Sequence, residues 1–366
     1  MKILFVEPNQ DTLLCFRKEL VDELIKQGHE LFLCLKSSEI VDSLYGDKAK
    51  EIIKLDADLK NVNPFKNLSL IRRYKRIIKR IKPDIILSFT IKPNIYCGLY
   101  AKKSFMIANI TGLGRAFNKK GLLNKIAMFL YKRSFKNVDY IFFQNSHDYQ
   151  LFKNRHLIKN NYKVIPGSGV NITKFKKVLT VERNNQEFLF ASRPLEEKGF
   201  DLLIQCIPEV VSKYPNAMFS LLVNKDEIAN EKLKDIICDY SNNIKFLGRT
   251  ESMIDHYCNS SFLVSPSYYH EGISNVLLES LACETPIITT NDNPGCMDVL
   301  VEGVNGFGVQ SKDKTSLLNS LLKACSTPID AISKMGENGR QYVSKKFNRN
   351  DVVNTYIGLI NSIKGQ

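Results

Sequence analysis

The sequence predicts an α/β protein made of two doubly wound parallel sheets, and three observations support this prediction. Short β-like runs alternate with amphipathic helical patterns along the chain, as in parallel sheets that helices cover on both faces. The segment Pro166-Gly-Ser-Gly169 and the polar stretch from Asn171 to Gln186 separate two groups of such runs. A length of 366 residues also exceeds that of one ordinary domain. The expected parts are a first domain at 1–168, a linker at 169–186, a second domain at 187–345 and a C-terminal helix at 346–366.

The β-like runs are short, rich in Ile, Leu, Phe and Val, and bounded by polar residues. They lie at 2–6, 30–35, 84–89, 105–110, 139–143 and 162–165 in the first half, and at 187–191, 217–223, 244–247, 261–265, 286–290 and 306–309 in the second. The pattern from Phe16 to Gln27 predicts one helix that Gly28 closes, and the tail from Arg349 to Lys364 predicts another. Open parallel sheets bind ligands beyond the carboxyl ends of their strands, so functional residues are expected directly after β-like runs.

The most informative stretch is 268–279, Tyr-Tyr-His-Glu-Gly-Ile-Ser-Asn-Val-Leu-Leu-Glu. It follows a β-like run and Pro266-Ser267, and it leads into an apolar helix. Backbone N–H groups and the helix dipole make such a helix start a natural anion site. Glu271 lies just before the expected anion, and Glu279 lies more than a turn inside the helix. The alternative interpretation is a plain helix start with Ser274 as its cap.

A second segment, Ser192-Arg-Pro-Leu-Glu-Glu-Lys-Gly199, follows another β-like run and contains Arg193 and Lys198. Together the two segments resemble the signature of the GT4 family of retaining glycosyltransferases. That family has the GT-B fold, in which two Rossmann-like, doubly wound domains face a central cleft. The segments Phe89–Asn94 and Ala108–Gly114 are further similar to the branch that adds capsule and O-antigen sugars to lipid-diphosphate carriers.

The resemblance implies a role for each matching residue. Arg193 and Lys198 would bind the nucleotide diphosphate, Glu271 the donor sugar and Glu279 the ribose hydroxyls. The other donor-binding residues form the helix start: Gly272, Ile273, Ser274, Asn275 and Val276. Arg193, Lys198 and Glu271 are the candidate catalytic residues, because cations and a helix N-terminus stabilise negative charge on a leaving diphosphate. This arrangement needs no metal, so no cofactor is expected. The alternative for the two cations is a surface cluster with the two Glu residues between them.

The resemblance places the acceptor side in the first half. The matching positions there are Lys92, Thr111, Gly112 and Gly114. The region departs from the family in two respects, because 110–114 contains no His and Glu7–Asp11 replaces the glycine-rich first loop. Gly112 and Gly114 would let backbone approach a ligand closely, although a tight turn explains them equally well. Since no Gly-x-Gly-x-x-Gly follows the first strand, a dehydrogenase is not favoured.

The composition favours an enzyme of a reducing compartment without a membrane-spanning helix. No stretch approaches the roughly 18 consecutive apolar residues that a spanning helix needs. Met1–Val6 is predicted to be a first core strand and not a secretory signal peptide. The nine cysteines form no Cys-x-x-Cys, and the five histidines are widely spaced. Reduced thiols, a cytoplasmic location and no metal site are therefore expected.

The net charge of +14 is distributed unevenly. Residues 1–180 hold 34 Lys and Arg against 15 Asp and Glu, whereas 181–366 hold 18 against 23. Solvated helix faces explain any single cluster, but a basic half indicates an anionic partner. That partner could be a membrane surface, a lipid diphosphate or nucleic acid.

Two basic segments make the membrane interpretation specific. In 68–81, apolar residues at helical spacing alternate with Lys and Arg, which predicts a core helix with a basic outer face. In 119–136, a wide apolar stripe flanked by Lys and Arg is typical of an interfacial helix. This second helix could pack in the core or insert Phe129 and Leu130 shallowly into lipid. Peripheral association with the inner face of the plasma membrane is the expected location.

The sequence thus favours a retaining hexosyltransferase that acts in O-antigen or capsule synthesis. It would move a hexose or N-acetylhexosamine from a nucleotide sugar, UDP-linked by the branch resemblance, to a lipid-diphosphate-linked saccharide. The alternative is a GT-B sugar-nucleotide epimerase or another soluble enzyme of sugar nucleotides. A nucleic-acid partner is not expected, because the chain has no recognition motif and few aromatic residues within its basic stretches.

Overall fold

The computed structural model of this protein contains two compact units. It describes residues 1–36, 39–55, 64–112, 122–158, 161–178, 185–228, 230–248, 250, 252–269 and 272–364. The first unit is formed by Met1–Ser168 together with Asn350–Gln366, and the second by Gly169–Arg349.

The first unit is built on a parallel sheet, which has seven strands in the described part of the chain. The strands are β1 Lys2–Asn9, β2 Glu30–Lys36, β3 Glu51–Lys54, β4 Ile85–Phe89, β5 Phe105–Ile110, β6 Tyr140–Phe143 and β7 Tyr162–Val164. Their order is β3-β2-β1-β4-β5-β6-β7, and Val6 of β1 lies beside Cys34 of β2 and Ser88 of β4. The winding direction therefore reverses at β1, which confirms the predicted doubly wound topology.

Helices cover both faces of this sheet. They are α1 Gln10–Phe16, α2 Lys18–Lys26, α3 Glu39–Tyr45, α4 Pro64–Ile81, α5 Ile91–Gly98, α6 Leu122–Ser134 and α7 Ser146–Asn154. Tyr74 of α4 and Tyr131 of α6 are buried in the core on one face, whereas Leu24 of α2 is buried on the other. None of the described helices is long and apolar enough to cross a membrane.

The helix predicted from Phe16 to Gln27 corresponds to α2, Lys18–Lys26, whereas the preceding helix α1 was not predicted. The side chain of Asn9 accepts a hydrogen bond from the backbone N–H of Thr12 at 3.0 Å, and this cap starts α1. Arg17, at φ −129° and ψ −1°, then interrupts the helix before α2 begins. Gly28 follows α2 at φ 75°, as a residue that ends a helix should.

The second unit is built on another parallel sheet. Its strands are β8 Glu187–Phe190, β9 Met218–Leu221, β10 Ile244–Phe246, β11 Phe262–Ser265, β12 Ile287–Thr290 and β13 Gly306–Val309, in the order β10-β9-β8-β11-β12-β13. Its helices are α8 Phe200–Lys213, α9 Glu231–Asp239, α10 Met253–Cys258, α11 Asn275–Ala282, α12 Pro294–Met297, α13 Lys314–Ser326 and α14 Ile329–Lys346. Val170 and Phe175, from the segment expected to be a linker, are buried in the core of this unit.

The last helix, α15 Arg349–Lys364, packs on the sheet of the first unit. Its residues Val352, Tyr356 and Ile360 are buried there. The ring of Tyr356 lies 4.5 Å from that of Phe142, between centroids. α15 and β1 therefore contribute to the same core cluster.

Candidate functional site

The candidate site lies at the carboxyl edge of the second sheet. β8 and β11 are neighbours in this sheet, and Leu189 lies beside Leu263. The two sequence motifs follow these two strands directly, so the parallel topology brings them to the same edge.

Backbone contacts join the two motif loops. The carbonyl oxygen of Glu197 accepts hydrogen bonds from the N–H groups of Tyr268 and Tyr269, both at 3.0 Å. Gly199, at φ 74°, lies so close to Pro266 that a Cβ at this position would be 2.4 Å from the Pro266 carbonyl oxygen. The loop 192–199 and the loop after β11 are therefore packed against each other and hydrogen-bonded.

The side chain of a buried asparagine stabilises the loop after β11. The Nδ2 of Asn293 donates to the carbonyl oxygens of Ser267 at 2.7 Å and Tyr269 at 3.0 Å. Thr290 Oγ1 also donates to the Ser267 carbonyl, at 2.7 Å. Three side-chain hydrogen bonds thus fix the backbone that leads from β11 to α11.

The two cations of the first motif have different surroundings. Arg193 is exposed, whereas Lys198 is half-buried and its Nζ lies 5.1 Å from the centroid of the Tyr269 ring. Glu196 accepts a hydrogen bond from the hydroxyl of Tyr268 at 3.1 Å. Lys198 ends a short 3-10 helix, Glu196–Lys198, and its ammonium lies beside Tyr269, the second residue of the segment 268–279.

The second motif forms the start of α11, as predicted. Gly272, Ile273 and Ser274 are buried just before the helix, and the N–H of Ser274 donates to the Gly295 carbonyl at 3.1 Å. Ser274 occupies the N-cap position, as in the plain helix-start interpretation, but its side chain makes no capping hydrogen bond. N–H groups of the first turn have no acceptor within a helix, which suits an anion. Glu271 lies outside the described residues.

Glu279 shares the accessible stripe of α11 with Asn275 and Val276. These three side chains are half-buried, whereas the other residues of the helix are buried. The hydroxyl of Tyr257 donates to Glu279 Oε2 at 3.0 Å. Burial raises the pKa of Glu279, while the Tyr257 hydrogen bond and the positive charges of Arg349 and Lys174 lower it. The carboxylate is thus held in place one helical turn from the helix start.

An open cavity at the carboxyl edge of the second sheet was not predicted from the sequence. It has a volume of about 490 Å³ and lies at the carboxyl ends of β9 and β10, where it is lined by Val223, Asn224, Asp226, Glu227, Phe246 and Gly248. Gly248 has φ 61°, and a Cβ there would lie 3.1 Å from Asn224 Oδ1. The sequence contained a signal for this cavity, because a polar segment follows each of the β-like runs 217–223 and 244–247, as in the two motifs.

The acceptor-side candidates lie at the carboxyl edge of the first sheet. Thr111 and Gly112 directly follow β5, and Gly112 has φ 117°. Lys92, in the first turn of α5, donates to Asn67 Oδ1 at 3.0 Å. Gly114 lies outside the described residues. Thr90, between β4 and α5, has φ 69° and ψ 168°, a region that non-glycine residues rarely occupy and that is often found at functional sites.

Glu7 is a buried acid at the same edge. Its side chain is 4% exposed, and burial raises its pKa to about 7, although Arg17 and a hydrogen bond with Thr12 lower it. Within the described part of the chain, Glu7 Oε2 has no hydrogen-bond partner. The Arg17 guanidinium lies 4.5 Å from the centroid of the Phe89 ring. The sequence showed an acidic residue after the first strand, but it did not show that this residue is buried.

The outer surface of α4 and α6, called here the basic helix layer, presents cations to solvent. Those of α4 are Arg72, Arg73, Lys75, Arg76, Lys79 and Arg80, and those of α6 are Lys125, Lys132 and Arg133. α5 contacts both helices. Ile126 and Phe129 of α6 are 47% and 66% exposed, whereas Tyr131 is buried. Leu130 is half-buried and packs against the core, so Phe129 is the more exposed of the two residues predicted to insert.

Comparisons with known proteins identify related glycosyltransferases. The family model described as glycosyl transferases group 1 matches residues 171–342, and the model described as glycosyl transferase 4-like matches residues 2–145. The capsular polysaccharide biosynthesis glycosyltransferase CapM of Staphylococcus aureus is 26% identical over 88% of this chain and 90% of its own length. An uncharacterized glycosyltransferase of Methanocaldococcus jannaschii is 28% identical over 66% of this chain, and the match spans 64% of that relative.

A solved structure has the same fold. The HepE protein of Anabaena in complex with UDP and glucose superposes with a TM-score of 0.78. The two chains are 16% identical, and the superposition covers 99% of this chain and 100% of the other. The predicted fold, with two parallel-sheet α/β domains, is thereby confirmed.

Proposed function

This chain belongs to the GT4-like glycosyltransferases of the GT-B fold, and we propose that it transfers a sugar from UDP to a lipid-linked acceptor. The sugar would be a hexose or N-acetylhexosamine, transferred with retention of configuration to a saccharide on a lipid diphosphate. The product would serve the synthesis of a bacterial surface polysaccharide such as capsule or O-antigen. One observation carries the proposal. The loop that bears Arg193 and Lys198 and the loop that leads into α11 contact each other at one edge of the sheet. The capsular relative and the UDP complex of HepE support the polysaccharide and the UDP, respectively.

The chemistry of the donor explains why cations are needed. When the bond between the sugar and the diphosphate breaks, negative charge grows on the diphosphate oxygens. The planar guanidinium of Arg193, the ammonium of Lys198 and the first-turn N–H groups of α11 would stabilise that charge in the transition state. We therefore propose a transfer that does not depend on a metal ion.

The nucleoside would lie along the same edge. A carboxylate accepts hydrogen bonds from two hydroxyls, and the position of Glu279 on the accessible stripe of α11 suits the ribose. The cavity beside β9 and β10 suits the base, because Phe246 offers an aromatic ring and Asp226 and Glu227 offer acceptors. Glu271 is assigned to the donor sugar by resemblance alone.

The acceptor and the membrane are assigned to the first unit. Cations close to an anionic lipid surface contribute about 1 kcal/mol each, so the basic helix layer suits phosphate-rich lipid. Phe129, exposed between the cations of α6, would enter the interface, where such mixed surfaces bind. We propose that the protein binds the inner face of the plasma membrane peripherally and receives its lipid-linked acceptor there.

A panel of UDP-, GDP- and ADP-sugars tests the donor assignment. At 100 times its dissociation constant a ligand stabilises the folded state by about 2.7 kcal/mol, which a thermal-shift assay detects. We expect a shift with UDP-sugars only, followed by transfer to a synthetic lipid-diphosphate saccharide with the anomeric configuration retained, as read by NMR. A shift with no sugar nucleotide would overturn the proposed function, and a shift with GDP-sugars alone would replace the donor.

A further inference from the structure

The geometry points to Tyr269 as a positioning residue that holds the ammonium of Lys198 in place for the diphosphate of a sugar nucleotide. This inference rests on the proposed function. Its basis is the distance of 5.1 Å between Lys198 Nζ and the centroid of the Tyr269 ring. At that distance the negative face of an aromatic ring attracts a cation.

The backbone of Lys198 is already fixed, so the ring acts on the side chain. The N–H of Lys198 donates to the Leu195 carbonyl at 2.9 Å, and the next residue, Gly199, packs so closely on Pro266 that a Cβ there would lie 2.4 Å from the Pro266 carbonyl oxygen. The lysine side chain beyond that backbone has four rotatable bonds and therefore substantial rotamer entropy. A ring that restricts these rotamers before the ligand arrives reduces the entropy that binding would otherwise cost.

The backbone of Tyr269 is fixed too, independently of its ring. Its N–H donates to the Glu197 carbonyl at 3.0 Å, and its carbonyl accepts from Asn293 Nδ2 at 3.0 Å. Substitution of the side chain therefore leaves both anchoring hydrogen bonds available. The loop should keep its course when the ring is removed, which separates the effect of the ring from a collapse of the loop.

A similar pair beside it provides a matched control. Lys312 Nζ lies 4.9 Å from the centroid of the Tyr268 ring, and Lys312 is exposed. It carries the same charge as Lys198 and is bound in the same way, but it follows β13 and not β8. If the diphosphate were bound only by the overall positive charge of this edge, Lys312→Ala would weaken UDP binding about as much as loss of the Tyr269 ring.

The test measures the dissociation constant of UDP by calorimetry for the whole protein and its variants. We expect Tyr269→Leu to weaken UDP binding roughly 2- to 30-fold, the range of a cation–ring contact, and Tyr269→Phe to bind as the natural protein does. Lys312→Ala should also bind as the natural protein does. In a Lys198→Ala background, Tyr269→Leu should have no further effect, because the ring acts through the lysine. Phenylalanines with increasing fluorine at position 269 should weaken binding stepwise, since fluorine reduces the negative charge of the ring face while changing its shape little.

Each other result overturns the inference. Unchanged UDP binding by Tyr269→Leu would show that the ring does not position the Lys198 ammonium. Equal losses of UDP affinity for Tyr269→Leu and Tyr269→Phe would assign the effect to the hydroxyl. Additive losses with Lys198→Ala would make Tyr269 an independent contact. If the natural protein binds UDP, these results leave the proposed function intact, whereas failure of the natural protein to bind any sugar nucleotide removes both.

Discussion

Gly199 packs directly on the backbone of Pro266, and this contact joins the two loops of the donor site. A methyl group on Gly199 would lie 2.4 Å from the Pro266 carbonyl oxygen and 2.6 Å from its Cγ. Neither neighbour is the flexible end of a side chain, so the loops would have to separate. Gly199 also has φ 74°, where other residues are strained. Sequence position alone therefore understates the importance of this glycine.

Gly199→Ala should lower both the stability of the second unit and its affinity for the nucleotide. The left-handed conformation costs about 1–2 kcal/mol, and the clash should add about 1–3 kcal/mol. Gly303→Ala is the matched control, because Gly303 has φ 70° and a Cβ there meets nothing within 4 Å. Urea unfolding should show a clearly greater loss for Gly199→Ala. Equal losses for the two variants would mean that backbone strain alone is at work.

Arg193→Ala and Lys198→Ala should reduce turnover far more than stability. Removal of one preorganised electrostatic group in such a site costs about 10²- to 10³-fold in rate. Stability should change by no more than about 0.5 kcal/mol, the usual effect of a surface substitution. Lys213→Ala, at an exposed position of α8, is the control and should leave both quantities unchanged.

The same assay tests the metal-independent mechanism. Activity of the natural protein should survive EDTA, because the cations of the chain carry out the charge stabilisation. Loss of activity in EDTA, with recovery on addition of manganese, would contradict this part of the proposal.

Glu279→Gln should raise the Michaelis constant for the sugar nucleotide more than it lowers turnover. Ribose contacts are similar in the ground state and the transition state, so their loss weakens binding uniformly. The hydrogen bond from Tyr257 at 3.0 Å can still be accepted by the amide oxygen, which keeps the helix intact. Steady-state kinetics at varied donor concentration give both constants. A fall in turnover with an unchanged Michaelis constant would move Glu279 from the ribose to the reacting sugar.

The positions of most strands along the chain could be predicted from the sequence because they depend on local patterns. Alternating apolar runs and helical periodicity identify strands such as β8 and β11, and the parallel alignment of the strands places their carboxyl ends at one edge of the sheet. β3, Glu51–Lys54, was missed because it is a four-residue edge strand with half-buried side chains, so its hydrophobic pattern is weak. Helix α1, Gln10–Phe16, was missed because it has only seven residues and directly follows β1, so its apolar pattern is short.

The site was predicted in part for a related reason. Arg193, Lys198 and Glu279 were identified by type and spacing, which are local properties. The contact of Gly199 with Pro266 and the cavity between the ends of β9 and β10 join segments that are distant in sequence. Burial of Glu7 likewise depends on helices that pack over β1, and a linear pattern does not report such packing.

Glu7 should make the stability of the first unit depend on pH. Its pKa is about 7 in the folded state and 4.5 without burial, so the unfolded state loses the proton first as pH rises. The contribution of Glu7 to the free energy of unfolding is therefore greatest below pH 4.5 and decreases as the pH rises from 4.5 to 7. The total decrease is about 3 kcal/mol, at 1.36 kcal/mol per pKa unit. Glu7→Gln, which stays neutral, should be more stable than the natural protein at pH 8 and similar to it at pH 4. Glu30→Gln, at an exposed position of β2, is the control. Equal pH profiles for the natural protein and Glu7→Gln would show that Glu7 is ionised when folded.

The basic helix layer should bind anionic vesicles. Replacement of Lys125, Lys132 and Arg133 by Ser removes three exposed cations at about 1 kcal/mol each, so binding should weaken about 100-fold. Phe129→Ser should weaken it further, because the ring is 66% exposed and flanked by these cations. Cosedimentation with vesicles of mixed anionic and zwitterionic lipid measures both effects.

The control for this surface removes the same charge elsewhere. Replacement of Lys213, Lys232 and Lys345, exposed residues of the second unit, lowers the net charge equally but leaves the basic helix layer intact. This variant should keep its vesicle binding, and salt should weaken binding of the natural protein, since surface charges are screened over about 8–10 Å at physiological ionic strength. Transfer to a short water-soluble acceptor should be unchanged in the α6 variant, because the donor residues lie in the other unit. If the α6 variant bound anionic vesicles as the natural protein does, Phe129 and its flanking cations would not be the membrane contact, and the cations of α4 would be the surface to test next.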